Sequence, residues 1–181
     1  MKKVEPIRDP KKIKEMKAVL KRHNFRNYLL FEFGINSGLR ISDLLKLQVK
    51  DVKGKYKINL TEKKTNKHKE FAINPRLEKM ISEYITGLDP EEYLFQSRKG
   101  ENKPISRVQA YRVLKKAAKE VGLEKIGTHT LRKTFGYHHY KKYKDVALLQ
   151  NIFNHSSPSI TLDYIGINQE EINKSTRELY I

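Results

Sequence analysis

The sequence predicts a mainly α-helical fold with one small antiparallel β-sheet, which is the α+β class. Most segments carry apolar residues at the three- and four-residue spacing of an amphipathic helix, whereas one pair of short segments alternates apolar and polar residues as strands do. No internal repeat or low-complexity tract interrupts these patterns. Because 181 residues is a typical domain length, we expect a single domain over residues 1–181.

Three helices are predicted ahead of the strands. Apolar residues recur at helical spacing over residues 10–22, and a second helix is predicted over 25–36. Ser37 and Gly38 end the second helix, because this pair favours a turn, and a third helix is predicted over 40–47. The first part of the chain is therefore expected to be helical.

The predicted strands form one hairpin. Tyr56, Ile58 and Leu60 alternate with polar residues, which gives the first strand one apolar face. Phe71 and Ile73 repeat the alternation after a polar, lysine-rich stretch. We therefore expect two antiparallel strands joined by a basic loop.

The remainder of the chain is predicted to be helical again. Segments with helical periodicity follow one another, separated by turn signals. The predicted helices cover residues 75–84, 106–121, 130–142, 145–153 and 159–165. A last amphipathic segment over 169–179 closes the chain.

The chain is strongly basic. It has 38 Lys and Arg residues against 21 Asp and Glu, a net charge of +17 and a pI near 9.9. Such an excess indicates a polyanionic partner, because neutralised phosphates release counterions and so supply affinity without sequence preference. Nucleic acid is the first expectation, and an anionic membrane surface is the alternative.

Composition excludes several kinds of site. The chain has no cysteine, which rules out disulfides, thiolate metal sites and a cysteine nucleophile. No stretch approaches the roughly 20 apolar residues that span a bilayer, and no apolar run follows the basic residues at the N-terminus as it does in a secretory signal. We therefore expect a soluble, cytoplasmic protein.

Two residues near the start of one predicted helix form the first candidate site. His129 and Arg132 lie three residues apart, so a helix that begins near Thr128 makes their side chains neighbours. Both side chains can then donate hydrogen bonds to one anion. Taken alone, the pair fits equally a histidine satisfied at a helix start and an arginine on a solvated face.

The other candidates are distant in sequence. Arg40 stands at a predicted helix N-terminus, where the helix dipole disfavours a cation unless an anion shares the site. His155 ends one predicted helix, and Tyr164 ends the next, nine residues later. Taken singly, these positions also suit a surface arginine, a capping histidine and a half-buried tyrosine.

Together the pieces resemble the catalytic domain of tyrosine recombinases, the phage integrase family that includes the Xer resolvases. The resemblance covers residues 27–167. Over residues 37–45 the sequence Ser-Gly-Leu-Arg-Ile-Ser-Asp-Leu-Leu is similar to the family's Gly-Leu-Arg-x-Ser-Glu-Leu box. Lys64-Thr65-Asn66-Lys67 is similar to its hairpin Lys-x-x-Lys, and residues 128–134 are similar to its His-x-Leu-Arg-His-Thr box.

The resemblance implies a catalytic set. Tyr164 is the expected nucleophile, and Arg40 and Arg132 are expected to bind phosphate oxygens through planar, permanently charged guanidinium groups. His129 is expected to move the tyrosine proton and His155 to support the phosphate, since imidazole titrates near neutral pH. A tyrosine with an ordinary pKa of about 10 is mostly protonated at pH 7, so cations must favour its ionised form.

The resemblance also implies a lysine that acts as a general acid. Lys64 is expected to protonate the leaving 5′ oxygen, because a lysine beside two arginines loses its proton more readily than a free one. Lys63 and Lys67 are alternatives for this role, and so is simple phosphate contact by the loop. The implied reaction forms a 3′-phosphotyrosine and requires no ATP, metal or other cofactor. The sequence accordingly has neither a Walker loop nor an acidic metal cluster.

The function implied by the resemblance is site-specific DNA recombination, with double-stranded DNA as the partner. A tetramer on recombining DNA, joined through a tail helix over 168–181, and accessory DNA-bending proteins are further expectations, and no membrane partner is expected. Two alternatives stay open, a type IB topoisomerase-like enzyme and a non-catalytic DNA-binding regulator of the same fold. Most family members add an N-terminal core-binding domain, which we expect to be absent here, in a chain that is either naturally short or truncated.

Two positions depart from the family pattern. Asp43 stands where the family commonly has glutamate, one methylene longer, so we expect the groups that it supports to be repositioned. Asn154 precedes His155 where glycine is usual. Because asparagine tolerates a positive φ better than most residues, we expect the turn at this position to form.

Overall fold

The structure, a computed structural model, describes residues 4–61, 68–167 and 175–180. Within these ranges the chain is helical apart from one two-stranded antiparallel sheet, which confirms the predicted fold class. The helices are α1 Pro10–His23, α2 Phe25–Ser37, α3 Ile41–Leu44, α4 Val49–Val52, α5 Pro75–Tyr84, α6 Arg107–Glu120, α7 Thr128–Tyr143, α8 Val146–Phe153 and α9 Pro158–Ile165. The strands are β1 Lys57–Thr61 and β2 His68–Ala72, and residues 175–178 are also helical. None of the helices in this part of the chain has the length and apolarity that a membrane crossing requires.

Capping residues set the starts of several helices. At each cap a side-chain oxygen accepts a hydrogen bond from a backbone N–H two or three residues further on, which satisfies a group that the helix itself leaves unpaired. These residues are Asp9 for α1, Asn74 for α5, Ser106 for α6, Asp145 for α8 and Ser157 for α9. The local chemistry of the caps explains why these helices begin close to their predicted starts.

The prediction of a third helix over 40–47 is wrong in its extent. α3 ends at Leu44, and the carbonyl oxygen of Leu47 accepts a hydrogen bond from the backbone N–H of Leu94 at 2.8 Å. The chain then forms an isolated β-bridge with the same distant segment before α4 begins. The backbone N–H groups of Lys46 and Leu47 donate three residues back, to the carbonyl oxygens of Asp43 and Leu44, so the four-residue spacing of the α-helix is lost after α3. Helical periodicity does not reveal the distant segment with which the chain then pairs.

The predicted pair of antiparallel strands is confirmed, with one correction to its apolar face, and the loop predicted between them lies outside the described residues. Ile58 on β1 lies opposite Phe71 on β2, and both side chains are buried. Tyr56, predicted on the same face, is 65% exposed. It precedes β1, and the ammonium of Lys57 lies 5.5 Å from its ring centroid. The alternation of apolar and polar residues predicts which side chains share a face of the strand. It does not predict how far along the strand that face is covered by the core.

α2 is the centre of the larger hydrophobic core and packs against α1, α5 and α7. Its fully buried apolar side chains are Leu29, Leu30, Phe31 and Phe33. Gly34 lets α7 approach closely, since a Cβ at that position would lie 2.5 Å from Cδ1 of Leu131. This contact brings the end of α2 and the turn before α3 beside the first turns of α7.

A smaller apolar cluster joins α8 and α9 to α7. Leu149 and Phe153 of α8 pack with Ile165 of α9, and all three side chains are fully buried. Gly136 of α7 meets this cluster so closely that a Cβ there would lie 2.6 Å from Cγ2 of Ile165. The cluster holds the short helix that carries Tyr164 against α7.

The residues ahead of α1 run along α7 and reach the end of α9. The backbone N–H of Ile7 donates to Oγ1 of Thr134 at 2.9 Å, and Nε2 of His138 donates to the carbonyl oxygen of Ile7 at 2.9 Å. Arg8 donates to the carbonyl oxygen of Gly166 at 3.2 Å. This N-terminal segment therefore links the two helices that carry His129 and Tyr164.

Candidate active site

Arg132 lies on α7 and is almost fully buried, with 3% of its surface exposed. Its Nη1 donates to the carbonyl oxygen of Gly38 at 2.6 Å, and its Nη2 donates to the carbonyl oxygen of Phe153 at 2.9 Å. The guanidinium also lies 4.3 Å from the centroid of the Phe153 ring. A buried guanidinium is costly unless its donors are satisfied, so these carbonyls fix where Arg132 points.

Arg40 stands where α2 turns into α3. Gly38 ends α2 in the left-handed conformation, with φ 66°, and a Cβ there would lie 2.5 Å from Cδ1 of Phe135. Arg40 follows as the N-terminal cap residue of α3, which agrees with its predicted position at a helix start. Its charge lowers the pKa values of both His129 and Tyr164, so it belongs to the same site as they do.

Tyr164 is half-buried in the last turn of α9. The centroid of its ring lies 5.5 Å from that of Phe153 and 5.1 Å from that of His155, both in edge-to-face contact. Such contacts hold a phenol ring in one orientation. α9 ends directly after the tyrosine, because Gly166 adopts the left-handed conformation with φ 78°.

The hydroxyl of Tyr164 lies 3.3 Å from Nδ1 of His129, which is 35 residues away in sequence. His129 occupies the first turn of α7, and its side chain is partly open to solvent. The distance is slightly longer than an ordinary hydrogen bond, as is common for catalytic pairs without a bound substrate. An incoming ligand can therefore reach both groups together.

His155 follows the end of α8 and faces the ring of Tyr164. Its Nδ1 lies 3.0 Å from Oγ1 of Thr161, a fully buried side chain on α9. Asn154 adopts the left-handed conformation, with φ 52°, and the backbone N–H of His155 donates to the carbonyl oxygen of Gln150 at 3.1 Å. The turn expected for asparagine in place of the family's glycine is therefore present.

Burial and nearby positive charges shift the pKa of the Tyr164 hydroxyl in opposite directions. Burial raises its pKa above the ordinary value, whereas the charges of Arg132 and Arg40, together with a hydrogen bond from Arg132, lower it. The pKa of His129 is lowered, first by loss of solvation and then by the surrounding cations. At pH 7 His129 is therefore neutral, with one ring nitrogen able to accept a proton.

The structure brings the predicted site residues that it describes into one place. They come from the α2–α3 turn, the start of α7, the end of α8 and the end of α9, and they are Arg40, His129, Arg132, His155 and Tyr164. Lys64 and its alternatives Lys63 and Lys67 lie outside the described residues. Over the described ranges, no group of three or more His, Asp or Glu side chains could hold a metal ion.

The sequence interpretation missed one residue of the site, Lys133. Its side chain is 6% exposed, and its Nζ lies 5.0 Å from the centroid of the Tyr164 ring. The signal was present in the spacing, because a residue four positions after His129 and next to Arg132 lies on the same face of the helix. The family box that residues 128–134 resemble has histidine at this position.

Comparison with known proteins identifies the family of the chain. The model of the phage integrase family matches residues 8–171. The probable integrase/recombinase YoeC of Bacillus subtilis (strain 168) is 55% identical over 177 residues, which cover 98% of this chain and 95% of YoeC. A tyrosine recombinase of Pseudothermotoga lettingae is 31% identical over 163 residues, which cover 86% of this chain and 56% of that protein.

The fold is also that of a solved recombinase. The crystal structure of the XerH site-specific recombinase bound to its difH substrate, a pre-cleavage complex, superposes with a TM-score of 0.73 at 22% identity and covers 97% of this chain and 55% of XerH. The chain thus spans nearly all of YoeC and about half of the other two proteins. With the family model matched over most of its length, the chain belongs to the phage integrase family, the enzymes known as tyrosine recombinases.

Proposed function

We propose that this chain is a site-specific recombinase that cleaves and rejoins DNA through a covalent 3′-phosphotyrosine at Tyr164. The observation that carries the proposal is the 3.3 Å approach of the Tyr164 hydroxyl to Nδ1 of His129, beside Arg132 and Arg40, whose charges lower the pKa of that tyrosine. A phenol placed between a proton acceptor and a fixed cation is prepared to act as a nucleophile.

Arg132 and Arg40 supply the positive charge that the transition state of phosphoryl transfer needs. Two of the five N–H groups of Arg132 are used by the carbonyl oxygens of Gly38 and Phe153, so the plane of its guanidinium is set before substrate binds. Donors that are already oriented stabilise developing charge without reorganisation. Arg40 acts on the same tyrosine as Arg132, so both cations serve one phosphate position.

The two histidines take different roles because their partners differ. His129 accepts the tyrosine proton, since its lowered pKa keeps it neutral at pH 7 and Nδ1 is an acceptor when Nε2 carries the ring proton. The hydroxyl of Thr161 donates to the carbonyl oxygen of Ser157, so its Oγ1 accepts a hydrogen bond from Nδ1 of His155, and the imidazole donates to the phosphate from Nε2 when both of its nitrogens carry protons. Thr161 therefore positions His155 for that role.

In the cleavage step, the Tyr164 oxygen attacks the scissile phosphorus while its proton passes to His129, and the bond between phosphorus and the 5′ oxygen breaks. Lys64 gives a proton to the departing 5′ oxygen, by its resemblance to the family's hairpin lysine, and Lys63 and Lys67 are its alternatives. The products are a 3′-phosphotyrosine and a free 5′-hydroxyl. Attack by the hydroxyl of another strand reverses the step and joins that strand.

Double-stranded DNA is the proposed substrate. The net charge of +17 favours a polyanion, and XerH, which shares this fold, is bound to a DNA substrate in its solved complex. We expect affinity for any duplex to fall steeply as salt increases, because neutralised phosphates release counterions. The proposed place of action is the cytoplasm, on the nucleoid.

We further propose that residues 1–181 form one catalytic domain and that four copies assemble on recombining DNA through the tail over 168–181. Within the described part of this tail, Leu179 is 68% exposed and Tyr180 is 99% exposed. Apolar side chains that their own chain leaves uncovered favour docking on a neighbouring protomer. Accessory DNA-bending proteins are proposed as additional partners.

Covalent trapping tests the proposed chemistry. The chain is incubated with a pool of nicked duplexes of randomised sequence, in which loss of a short strand after cleavage makes the adduct irreversible. We expect a slowly migrating protein–DNA species that protease removes and whose DNA identifies the site. Tyr164→Phe should abolish this species, whereas Tyr143→Phe, at a tyrosine that is 56% exposed, should preserve it. An adduct that persists in Tyr164→Phe would place the nucleophile elsewhere.

The trapped site also separates the proposed recombinase from its alternatives. Two copies of the site on one supercoiled plasmid should give exchanged products. Relaxation without exchange would favour the topoisomerase-like enzyme. Salt-sensitive binding with no adduct on any duplex would favour a DNA-binding regulator.

A further inference from the structure

We propose that Lys133 is a positioning residue for the nucleophile: its ammonium holds the ring face of Tyr164 and favours the ionised form of the hydroxyl. The inference rests on the proposed function only for the consequence to DNA cleavage. Its electrostatic part concerns the free protein and can be tested without DNA.

The burial of Lys133 is unusual for a lysine. Only 6% of its surface is exposed, and lysine is among the residues least often buried, because removing an ammonium from water is costly. Its Nζ lies 5.0 Å from the centroid of the Tyr164 ring, within the distance at which a cation interacts with an aromatic face. The ring that receives this buried charge is that of the proposed nucleophile.

Two other lysines of α7 also lie close to tyrosine rings, but they differ from Lys133 in that they are not buried. Lys141 lies 5.7 Å from the ring centroid of Tyr137, and Lys142 lies 4.9 Å from that of Tyr143. Both of these lysines are exposed, so water screens their charge. Lys133 is held inside the protein, where its charge acts on its neighbours with less screening.

The charged and titratable groups around Tyr164 are mostly cationic. They are Asp163 on α9 itself, His129, Arg132 and Lys133 on α7, Arg40 on the α2–α3 turn, and His155 after α8. Asp163 is solvent-exposed and is the one acidic member of the groups named here. The charge of Lys133, like those of Arg132 and Arg40, lowers the pKa of His129.

Nearby positive charge matters because the phenol oxygen of Tyr164 gains negative charge as it loses its proton and bonds to phosphorus. Burial raises the pKa of Tyr164 and so opposes this ionisation. Arg132 is restrained by two carbonyl oxygens, and Lys133 is restrained by its burial beside the ring of Tyr164. A cation that is already in position stabilises the phenolate without the cost of moving solvent or side chains.

Tyrosine labelled with ¹³C at Cζ gives a direct test in the free chain by NMR. The chain has 10 tyrosines, and the Tyr164 resonance is the one that disappears in Tyr164→Phe. Lys133→Met keeps an unbranched apolar stem and removes the charge, whereas Lys133→Arg keeps the charge. Over the pH range in which circular dichroism shows the chain folded, we expect Lys133→Met to raise the titration midpoint of Tyr164 by about one pH unit, as for loss of a nearby opposite charge.

Two control variants test whether the shift in the titration midpoint of Tyr164 comes from the charge of Lys133 or from a change in the overall charge or structure of the protein. Lys141→Met removes an exposed lysine at a similar distance from another tyrosine ring on the same helix, and it should leave the Tyr164 midpoint unchanged. Lys133→Arg should keep the midpoint near that of the wild type. If Lys133→Met does not fold, Lys133→Gln replaces it as the uncharged variant. An unchanged midpoint in the folded, uncharged variant would overturn the proposal.

The consequence for cleavage is measured with the trapped nicked duplex. Lys133→Met should form the adduct about tenfold more slowly at pH 7, matching a midpoint shift of about one unit, and should approach the wild-type rate as pH rises. A loss that is equal at every pH would overturn the electrostatic role. If the wild type forms no adduct but the midpoint shifts, the inference about Lys133 stands and the proposed function fails.

Discussion

The guanidinium of Arg132 donates a hydrogen bond to the carbonyl oxygen of Gly38, 94 residues away in sequence, at 2.6 Å. Gly38 lies two residues before Arg40, and the second acceptor of Arg132, the carbonyl oxygen of Phe153, lies two residues before His155. One buried side chain therefore ties together the segments that carry both arginines and one histidine of the site. The geometry of the site depends on this connection as well as on the chemistry of each residue.

Arg132→Lys should disrupt the connection while keeping the charge. A lysine has one nitrogen and cannot reproduce the planar fork that reaches both carbonyl oxygens, so at least one buried acceptor loses its partner. We expect the free energy of unfolding to fall by about 2 kcal/mol and adduct formation to slow by about 100-fold. Urea denaturation and the trapping assay measure the two effects. Arg112→Lys, at an exposed arginine on α6, should change neither, and unchanged stability in Arg132→Lys would contradict the structural role.

Gly136→Ala should destabilise the chain, although a helical Gly→Ala change ordinarily stabilises by up to about 1 kcal/mol. The added methyl would lie 2.6 Å from Cγ2 of Ile165 and 2.7 Å from Cζ of Phe153. Both side chains are fully buried and cannot move into solvent. We expect a loss of about 2 kcal/mol on urea denaturation, typical of an overpacked core. Lys142→Ala, at an exposed position of the same helix, should have little effect, and a stabilised Gly136→Ala would show that α9 does not pack against α7 as described.

The parts of the fold that obey local rules were predictable from the sequence. Caps such as Ser106 and Asp145 act within three residues, and the adjacency of His129 and Arg132 follows from helix geometry alone. The same rule would have identified Lys133. Whether its side chain is buried was not predictable, because burial depends on what packs above the helix.

Relations between distant segments required either the family resemblance or the structure. The approach of His129 to Tyr164 spans 35 residues and depends on how the α8–α9 cluster packs on α7. After α3 the chain pairs with a distant segment, through the hydrogen bond between Leu47 and Leu94. No periodicity in the sequence encodes these contacts, and hydrophobic alternation likewise did not reveal that Tyr56 lies beyond the edge of the core.

Thr161→Val should weaken cleavage through His155. Valine has nearly the same shape as threonine but cannot hydrogen-bond to Nδ1 of His155, so the imidazole loses the partner that orients it. We expect adduct formation to slow by about tenfold and stability to fall by about 1 kcal/mol. Thr161→Ser keeps the hydroxyl and should restore most of the rate. If Thr161→Ser is as slow as Thr161→Val, the methyl group matters and the positioning role is contradicted.

Stability should depend on pH through His129. The pKa of His129 in the folded chain lies below its ordinary value of about 6.5, because lost solvation and nearby cations oppose protonation. The unfolded state therefore binds more protons between the two pKa values, and the free energy of unfolding rises as pH increases through the range below 6.5. His129→Gln removes this contribution, so its unfolding free energy should change less steeply with pH over that range. An equal slope in the wild type and the variant would contradict the lowered pKa.

DNA binding should raise the pKa of His129 back towards its ordinary value. A phosphate bound beside Arg132 and Arg40 offsets the charges that lower the pKa of this histidine, so below its ordinary pKa of about 6.5 the protein should take up protons when DNA binds and bind more tightly as pH falls, while at pH 7 His129 stays mostly neutral and able to accept the tyrosine proton. Calorimetry of DNA binding in two buffers with different ionisation enthalpies measures the uptake. His129→Gln should lose it, whereas His23→Gln, at a histidine that pairs with Glu120 at 2.8 Å, should retain it. Proton uptake that is the same in the wild type and His129→Gln would mean that the phosphate does not bind beside His129.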